Sequence, residues 1–286
     1  MVGESVALRY ATAPKVPADA LARAVDPCRE PAYREGVVSL QGTANSKEYQ
    51  AIQSCSFLLI PGAGGSAWYW HLVAPKLQER GHEAVPVELP AADDRAGLPQ
   101  YAATVVRAIG NRDPQRVVLV AQSLAGFTVP LVCTQVRVAM LVLVNAMIPK
   151  PGETPGEWWG NTGHGEAKHQ QNVRDGRRAD APFDPRLDLF HDVPQPVVDH
   201  AWVQGEPHQS DTVFGSPCMF KAWPAVPTRV LVGRDDRFFP AEFQRRVARE
   251  RLGISADEML GGHLIALSRP EELSTRLIAY VATTPR

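Results

Sequence analysis

A mostly parallel, doubly wound α/β sheet is the fold class this sequence predicts, and three observations predict it. Short apolar runs recur along the chain: FLLI (57–60), EAVPVEL (83–89), VVLVA (117–121), MLVLVNA (140–146) and TRVLVG (228–233). They are continuous rather than alternating, as strands covered on both faces should be. Helical stretches separate them, among them YWHLVAPKLQERG (69–81) and EFQRRVARERLG (242–253), each closing on a glycine. The arginines of the second stretch read as a solvated helix face.

The elements group into three regions. Residues 1–53 are rich in alanine, proline and charge, and only GVVSLQG (36–42) resembles a strand, so they form an N-terminal extension whose role is unreadable. Residues 54–286 form one domain. Between its fourth and fifth strands, residues 149–224 are dense in Pro, Gly, Trp and His and too long for a simple crossover. Such an insertion is expected to arch as a lid over the carboxyl ends of the strands, where ligands bind in sheets of this kind. DVPQPVVDHAW (192–202) is its expected helix with Asp192 as N-cap. Trp158 and Trp159 either line a pocket beneath it or pack the insertion onto the body.

Composition narrows the function. In 286 residues, 30 Lys plus Arg oppose 31 Asp plus Glu, so no long-range field draws nucleic acid or an anionic membrane, and a small, weakly charged partner fits. The cysteines at 28, 55, 133 and 218 form neither a CxxC pattern nor a disulfide framework, consistent with a reduced cytoplasmic protein. No apolar stretch reaches membrane-spanning length, and the first residues lack the apolar core of a secretory signal.

Ser123 follows a buried strand at once and precedes LAGFTVPLVC (124–133), an expected helix. A serine on such a turn takes strained backbone and needs small neighbours two positions to either side, here Ala121 and Ala125, with Gly126 next for close helix–strand packing. A buried strand-end serine bonded to nearby backbone would explain the stretch equally well. The rest of the chain favours chemistry. A serine hydroxyl needs a base, and the base needs an acid to hold its tautomer. Downstream stand RDDRFFP (234–240), after the fifth strand, and His263 after DEMLGG, in the order Ser, Asp, His that this architecture requires. A tetrahedral oxyanion would need two backbone N–H donors. Leu124 supplies one, and Ala63 in PGAGGSAW (61–68) is best placed for the other. The glycine loop fits phosphate poorly, because neither G-K-[ST] nor G-x-G-x-x-G is present. The remaining histidines show no metal-binding spacing, so neither a metal nor a cofactor is expected.

From about residue 55 onward the chain resembles the α/β-hydrolase superfamily, in the branch of plant methylesterases and hydroxynitrile lyases with bacterial esterase relatives. FLLIPGAGGSAWYW (57–70) is similar to that branch's first strand and oxyanion loop, with Pro61 where the family has histidine; GHEAVPVELPAA (81–92), AQSLAG (121–126), GRDDRFFP (233–240) and GGHLIALSRPEEL (261–273) resemble its later motifs. The resemblance implies an α/β-hydrolase fold. The family's D-x-x-x-P turn selects Asp236, four positions before Pro240, over Asp235 as the acid. In lyases of the branch a lysine follows the histidine and a threonine of the loop contacts substrate; Leu264 and Gly62 occupy those places here.

The sequence therefore points to a serine hydrolase of a small carboxylic ester, with Ser123, His263 and Asp236 as triad and Ala63 and Leu124 as oxyanion donors. Gly62, Trp158, Trp159 and Leu264 are expected around the substrate. A lyase, acyl transferase or cyclase on the same triad, or a non-catalytic small-molecule binder, stays open. A homodimer is compatible with this reading.

Overall fold

A computed structural model of the chain describes residues 54–205 and 207–283; the expected extension at 1–53, with its strand at 36–42, lies outside them. Six strands, β1 (Ser56–Ile60), β2 (Glu83–Pro86), β3 (Val117–Gln122), β4 (Met140–Val144), β5 (Thr228–Gly233) and β6 (Asp257–Met259), form one all-parallel sheet in the order β2-β1-β3-β4-β5-β6. From β1 the chain winds outward to β2, then returns to β3 on the other side of β1. This is the order reversal that opens a crevice at the carboxyl ends of β1 and β3.

The strand sequences explain both faces. Leu58 and Ile60 of β1, Leu119 and Ala121 of β3 and Leu141 and Leu143 of β4 enter one core, while Phe57, Leu59, Val118, Val120, Val142 and Val144 enter the other. Successive side chains of a strand point to opposite faces, so continuous apolar runs are what a sheet buried on both sides requires.

Helices α1 (Ala74–Glu79), α2 (Leu98–Ile109) and α3 (Val129–Cys133) follow the first three strands; α4 (Pro155–Thr162), α5 (His164–Arg174), α6 (Pro185–Asp188), α7 (Gln195–Gln204) and α8 (Thr212–Gly215) lie between β4 and β5; α9 (Ala241–Leu252), α10 (Ile265–Ser268) and α11 (Pro270–Thr283) close the chain. Three expectations are corrected. The β2 strand ends at Pro86: Val87 still donates its N–H to the Leu59 carbonyl of β1, but Leu89 donates to Gly65 of the glycine loop rather than continuing the sheet ladder. The first helix is a 3₁₀ turn at 67–70 followed by the short α1, which starts with Pro75 in its first turn, where a missing N–H costs nothing. Asp192 does not cap α7, whose N-cap is Pro194; its carboxylate is engaged elsewhere.

The insertion is tied to the body at its base. Thr154 and Glu157 form a reciprocal capping box that starts α4. Beside it, Glu153 and Arg251 of α9 make a two-pronged ion pair whose side chains are 3% and 4% exposed, with the Asn161 amide and the Lys150 N–H as the carboxylate's further donors. No helix among the described residues is long and apolar enough to cross a membrane. Removing one partner of a buried pair leaves an uncompensated charge, at a cost of about 3–5 kcal/mol. Arg251→Met is therefore expected to lower the thermal midpoint strongly, measured by scanning calorimetry, and Glu153→Gln/Arg251→Met to recover part of the loss.

Candidate active site

The β3 strand delivers Ser123 into a turn that the backbone resists. Its φ is 52°, one of two positive values among non-glycine residues of the described chain; the other is Asn145 at 46°. Gln122 and Val144 are register partners, so these two residues face one another one step beyond the ends of β3 and β4. Left-handed backbone at a residue with a Cβ is held only where surroundings over-determine it. Here the Met147 N–H donates to the Ser123 carbonyl at 2.9 Å, and the turn packs so tightly on residues 145–147 that a Cβ on Gly126 would run into the Met147 carbonyl. The small residue this elbow cannot do without is thus Gly126, while alanine is accommodated at 121 and 125. The expected helix after the serine opens as a 3₁₀ turn over 123–127 before α3 begins.

His263 and Asp236 meet this serine from the turns after β6 and β5, across β4 at the same end of the sheet. The Ser123 Oγ lies 3.1 Å from His263 Nε2, and His263 Nδ1 lies 2.8 Å from Asp236 Oδ2. All three side chains belong to buried residues. The Asp236 Oδ1 accepts the backbone N–H groups of Phe238 and Phe239, both at 2.8 Å, and Oδ2 also accepts the Gln244 side-chain amide of α9 at 3.2 Å. The carboxylate is fixed in rotation, with one oxygen aimed at the imidazole. Asp235, by contrast, is exposed and bonds the Gly261 N–H, a local tie between neighbouring turns. The arrangement can draw a proton from the hydroxyl toward Nε2 while Asp236 holds the tautomer and steadies the imidazolium.

Gly62 and Ala63 lie on the loop after β1, across the crevice. The Gly65 N–H returns to the Gly62 carbonyl at 3.1 Å, turning the chain over Ala63 and Gly64. Gly62 touches the elbow: a Cβ there would lie 2.7 Å from Ser123 Cβ and collide with the Gln122 amide oxygen. That oxygen accepts the Gly62 N–H at 3.0 Å. The residue preceding the serine thereby fixes the loop that carries Ala63. The insertion holds the same loop from above, through Gln209, whose Oε1 accepts the Gly64 N–H at 2.9 Å. Leu124, on the elbow itself, is buried.

Other expected site residues lie differently. Trp158 is 1% exposed, with its indole N–H on the Ile148 carbonyl, so it belongs to the core rather than to a pocket wall. Trp159 packs edge-on against His164 and beside Phe238 and Phe239. Those two phenylalanine rings stand edge-on to the His263 imidazole, at centroid distances of 5.1 and 4.9 Å. The tryptophans therefore buttress the acid turn from behind. Leu264 is half-buried beside the second core. Among the described residues no group of three or more His, Cys, Asp or Glu side chains is arranged to hold a metal ion.

A family model described as the alpha/beta hydrolase family matches residues 57–276. The chain belongs to that family. It is similar to methylesterase 3 of Arabidopsis thaliana, with 28% identity over 113 residues, 36% of this chain and 43% of that protein. It is also similar to the alpha-hydroxynitrile lyase of the same plant, 23% identical over 247 residues that cover 78% of this chain and 95% of the lyase. The crystal structure of polyneuridine aldehyde esterase superposes with a TM-score of 0.60 at 18% identity, covering 80% of this chain and 99% of the other. Family membership and esterase-type relatives such as methylesterase 3 support a hydrolase or esterase role.

One titratable group behind the acid turn was not singled out in the sequence. His164 is buried among Trp158, Trp159, Phe238, Phe239 and Phe243, with Nε2 2.8 Å from the Phe238 carbonyl. Burial pushes its pKa down from 6.5 to about 4, more than the Phe238 carbonyl offsets. The folded state thus resists protonation at His164 while the unfolded state accepts it, so the stability this group contributes is complete above pH 6.5 and is lost as the pH falls toward 4. Thermal midpoints measured across that window should fall for the wild type, and His164→Phe should show a shallower fall whatever its own stability.

Proposed function

We propose that the protein hydrolyses a small carboxylic ester through an acyl-enzyme. Ser123 Oγ attacks the acyl carbonyl as its proton passes to His263 Nε2. Asp236 holds Nδ1–H and stabilises the imidazolium, and the Ala63 and Leu124 N–H groups receive the charge developing on the carbonyl oxygen. His263 then returns the proton to the leaving alcohol. Water, deprotonated by the same histidine, attacks the acyl group and releases the acid and free Ser123. No cofactor or metal enters these steps, and the substrate is a small molecule.

The observation that carries this reading is the hydrogen-bonded run from Ser123 Oγ through His263 to Asp236 Oδ2, ending in backbone N–H donors. Ser123→Ala should abolish ester turnover while leaving the fold intact, and a fluorophosphonate should label the wild type at Ser123 alone. Asp236→Asn should cost on the order of 10³–10⁴ in kcat by misorienting the imidazole, and Asp235→Asn far less. Wild-type turnover by Ser123→Ala would end the proposal; reversed effects of the two aspartates would move the acid to 235.

Lyase chemistry is the second reading, and the similarity to an alpha-hydroxynitrile lyase favours examining it. Two residues oppose it. Leu264 follows the histidine and has no charge with which to stabilise departing cyanide. Gly62 cannot be replaced by a hydroxyl-bearing residue without striking Gln122 and Ser123. Hydrolysis of a small activated ester is expected, with no cyanide released from mandelonitrile above the uncatalysed background. An inert ester together with Ser123-dependent cyanohydrin cleavage would reverse the assignment.

A further inference from the structure

His263 stands after two glycines, Gly261 with φ 126° and Gly262, so the chain leading to the base has little conformational preference of its own. Its geometry has to be imposed from outside. Asn145 Nδ2 donates to the carbonyls of Gly262 and His263 at 2.9 and 3.1 Å, while Asn145 Oδ1 accepts the Gly233 N–H at 2.7 Å. Asp235 accepts the Gly261 N–H. Gln122 Nε2 reaches the His263 carbonyl at 3.4 Å, and a further tie comes from the insertion: Asp192 Oδ2 accepts the Gly262 N–H at 2.7 Å.

We propose that Asp192 is a positioning residue for His263, through which the insertion sets the base relative to Ser123. This rests on the reading of His263 as the base. Three observations support it. The bond is short and charge-assisted, and it grips the peptide immediately before the histidine. The fit allows no slack, because a Cβ on Gly262 would lie 2.6 Å from Asp192 Oδ1 and 2.8 Å from His191 Nε2, so only glycine lets the insertion press onto this backbone. The segment that carries Asp192 is itself anchored: the Phe190 and Trp202 rings meet edge-on at 4.8 Å, and Val193 and Val198 enter the second core. Asp192 therefore stands on a rigid support and transmits the position of the insertion to the imidazole. A misplacement of about 1 Å at a reacting group can cost on the order of 10² in rate without altering ground-state binding.

The test uses the full chain, a small activated ester, and the Asp192→Ala, Asp192→Asn, Gly262→Ala and Ser123→Ala variants, with folding followed by circular dichroism. Asp192→Ala should lower kcat by about 10²-fold with KM little changed, and slow fluorophosphonate labelling of Ser123 in proportion. Asp192→Asn keeps an oxygen for the Gly262 N–H and should recover most of kcat. A purely structural role would instead lower the folded fraction and leave turnover per folded molecule intact. Should Asp192→Ala not fold, Gly262→Ala reads the same contact from the other side and should show the same loss confined to kcat. Wild-type kcat per folded molecule in Asp192→Ala, an equal loss in Asp192→Asn, or wild-type kcat in a folded Gly262→Ala would each overturn the proposal. An inactive Ser123→Ala beside such a result leaves the nucleophile standing; an active Ser123→Ala removes the reading beneath it.

Discussion

Ser123 and Asn145 face each other just past the ends of two adjacent parallel strands, both in left-handed backbone, and the packing between their turns is the constraint on which the site depends. Each such residue costs on the order of 1–3 kcal/mol relative to ordinary backbone. The cost is offset by what the conformation makes possible. The Ser123 carbonyl takes the Met147 N–H, Gly126 sits against the Met147 carbonyl, and the Asn145 side chain is turned toward the histidine loop instead of continuing a strand. Strain at Ser123 points the hydroxyl at the imidazole. Strain at Asn145 brings the imidazole to the hydroxyl. Neither would be useful without the other, and both are enforced by one close contact between neighbouring turns.

Around this pair the sheet acts as a comb whose teeth end at one place. The ends of β1, β3, β4, β5 and β6 contribute the glycine loop, Ser123, Asn145, the Asp236 turn and the His263 turn in spatial order. Buried side-chain amides tie neighbouring turns together: Gln122 joins the elbow to the Gly62 loop, Asn145 joins β4 to the histidine turn, and Gln244 joins α9 to the acid turn. Amides suit this task because each offers donors and an acceptor without a charge to desolvate. The insertion adds further ties, among them those from Gln209 to Gly64 and from Asp192 to Gly262 on opposite sides of the crevice, and that from His164 to the Phe238 carbonyl of the acid turn.

Five of the six strands were legible in the sequence because a sheet covered on both faces requires continuous apolar runs, and such runs are visible in a single chain; β6, at Asp257–Met259, carries none. Ser123, Asp236 and His263 stood out because each follows a strand and their order is imposed by topology. Asp192, Asn145, Gln122 and Gln244 were not identified for these roles, and the reason is physical. They act by bonding backbone groups that are, in most cases, distant along the chain, and no local period or spacing encodes such a pairing. The insertion was legible as a region and as one helix, expected at 192–202 and found as α7: its length and proline content marked it, whereas its other four helices are set by caps and by packing against the body. Trp158 illustrates the limit, since a tryptophan in a lid-like segment looks like pocket wall until its N–H is seen on the Ile148 carbonyl.

In the proposed function the Ser123 oxygen becomes covalently acylated, and trapping that species is the sharpest test of it. The wild-type protein would be mixed with excess p-nitrophenyl acetate, quenched in acid within the first turnovers, digested, and read by peptide mass spectrometry. An acetyl group is expected on the peptide that carries Ser123, appearing with a stoichiometric burst of nitrophenolate and absent from Ser123→Ala. Steady ester turnover with no acyl adduct, or an adduct on another residue that persists in Ser123→Ala, would contradict it.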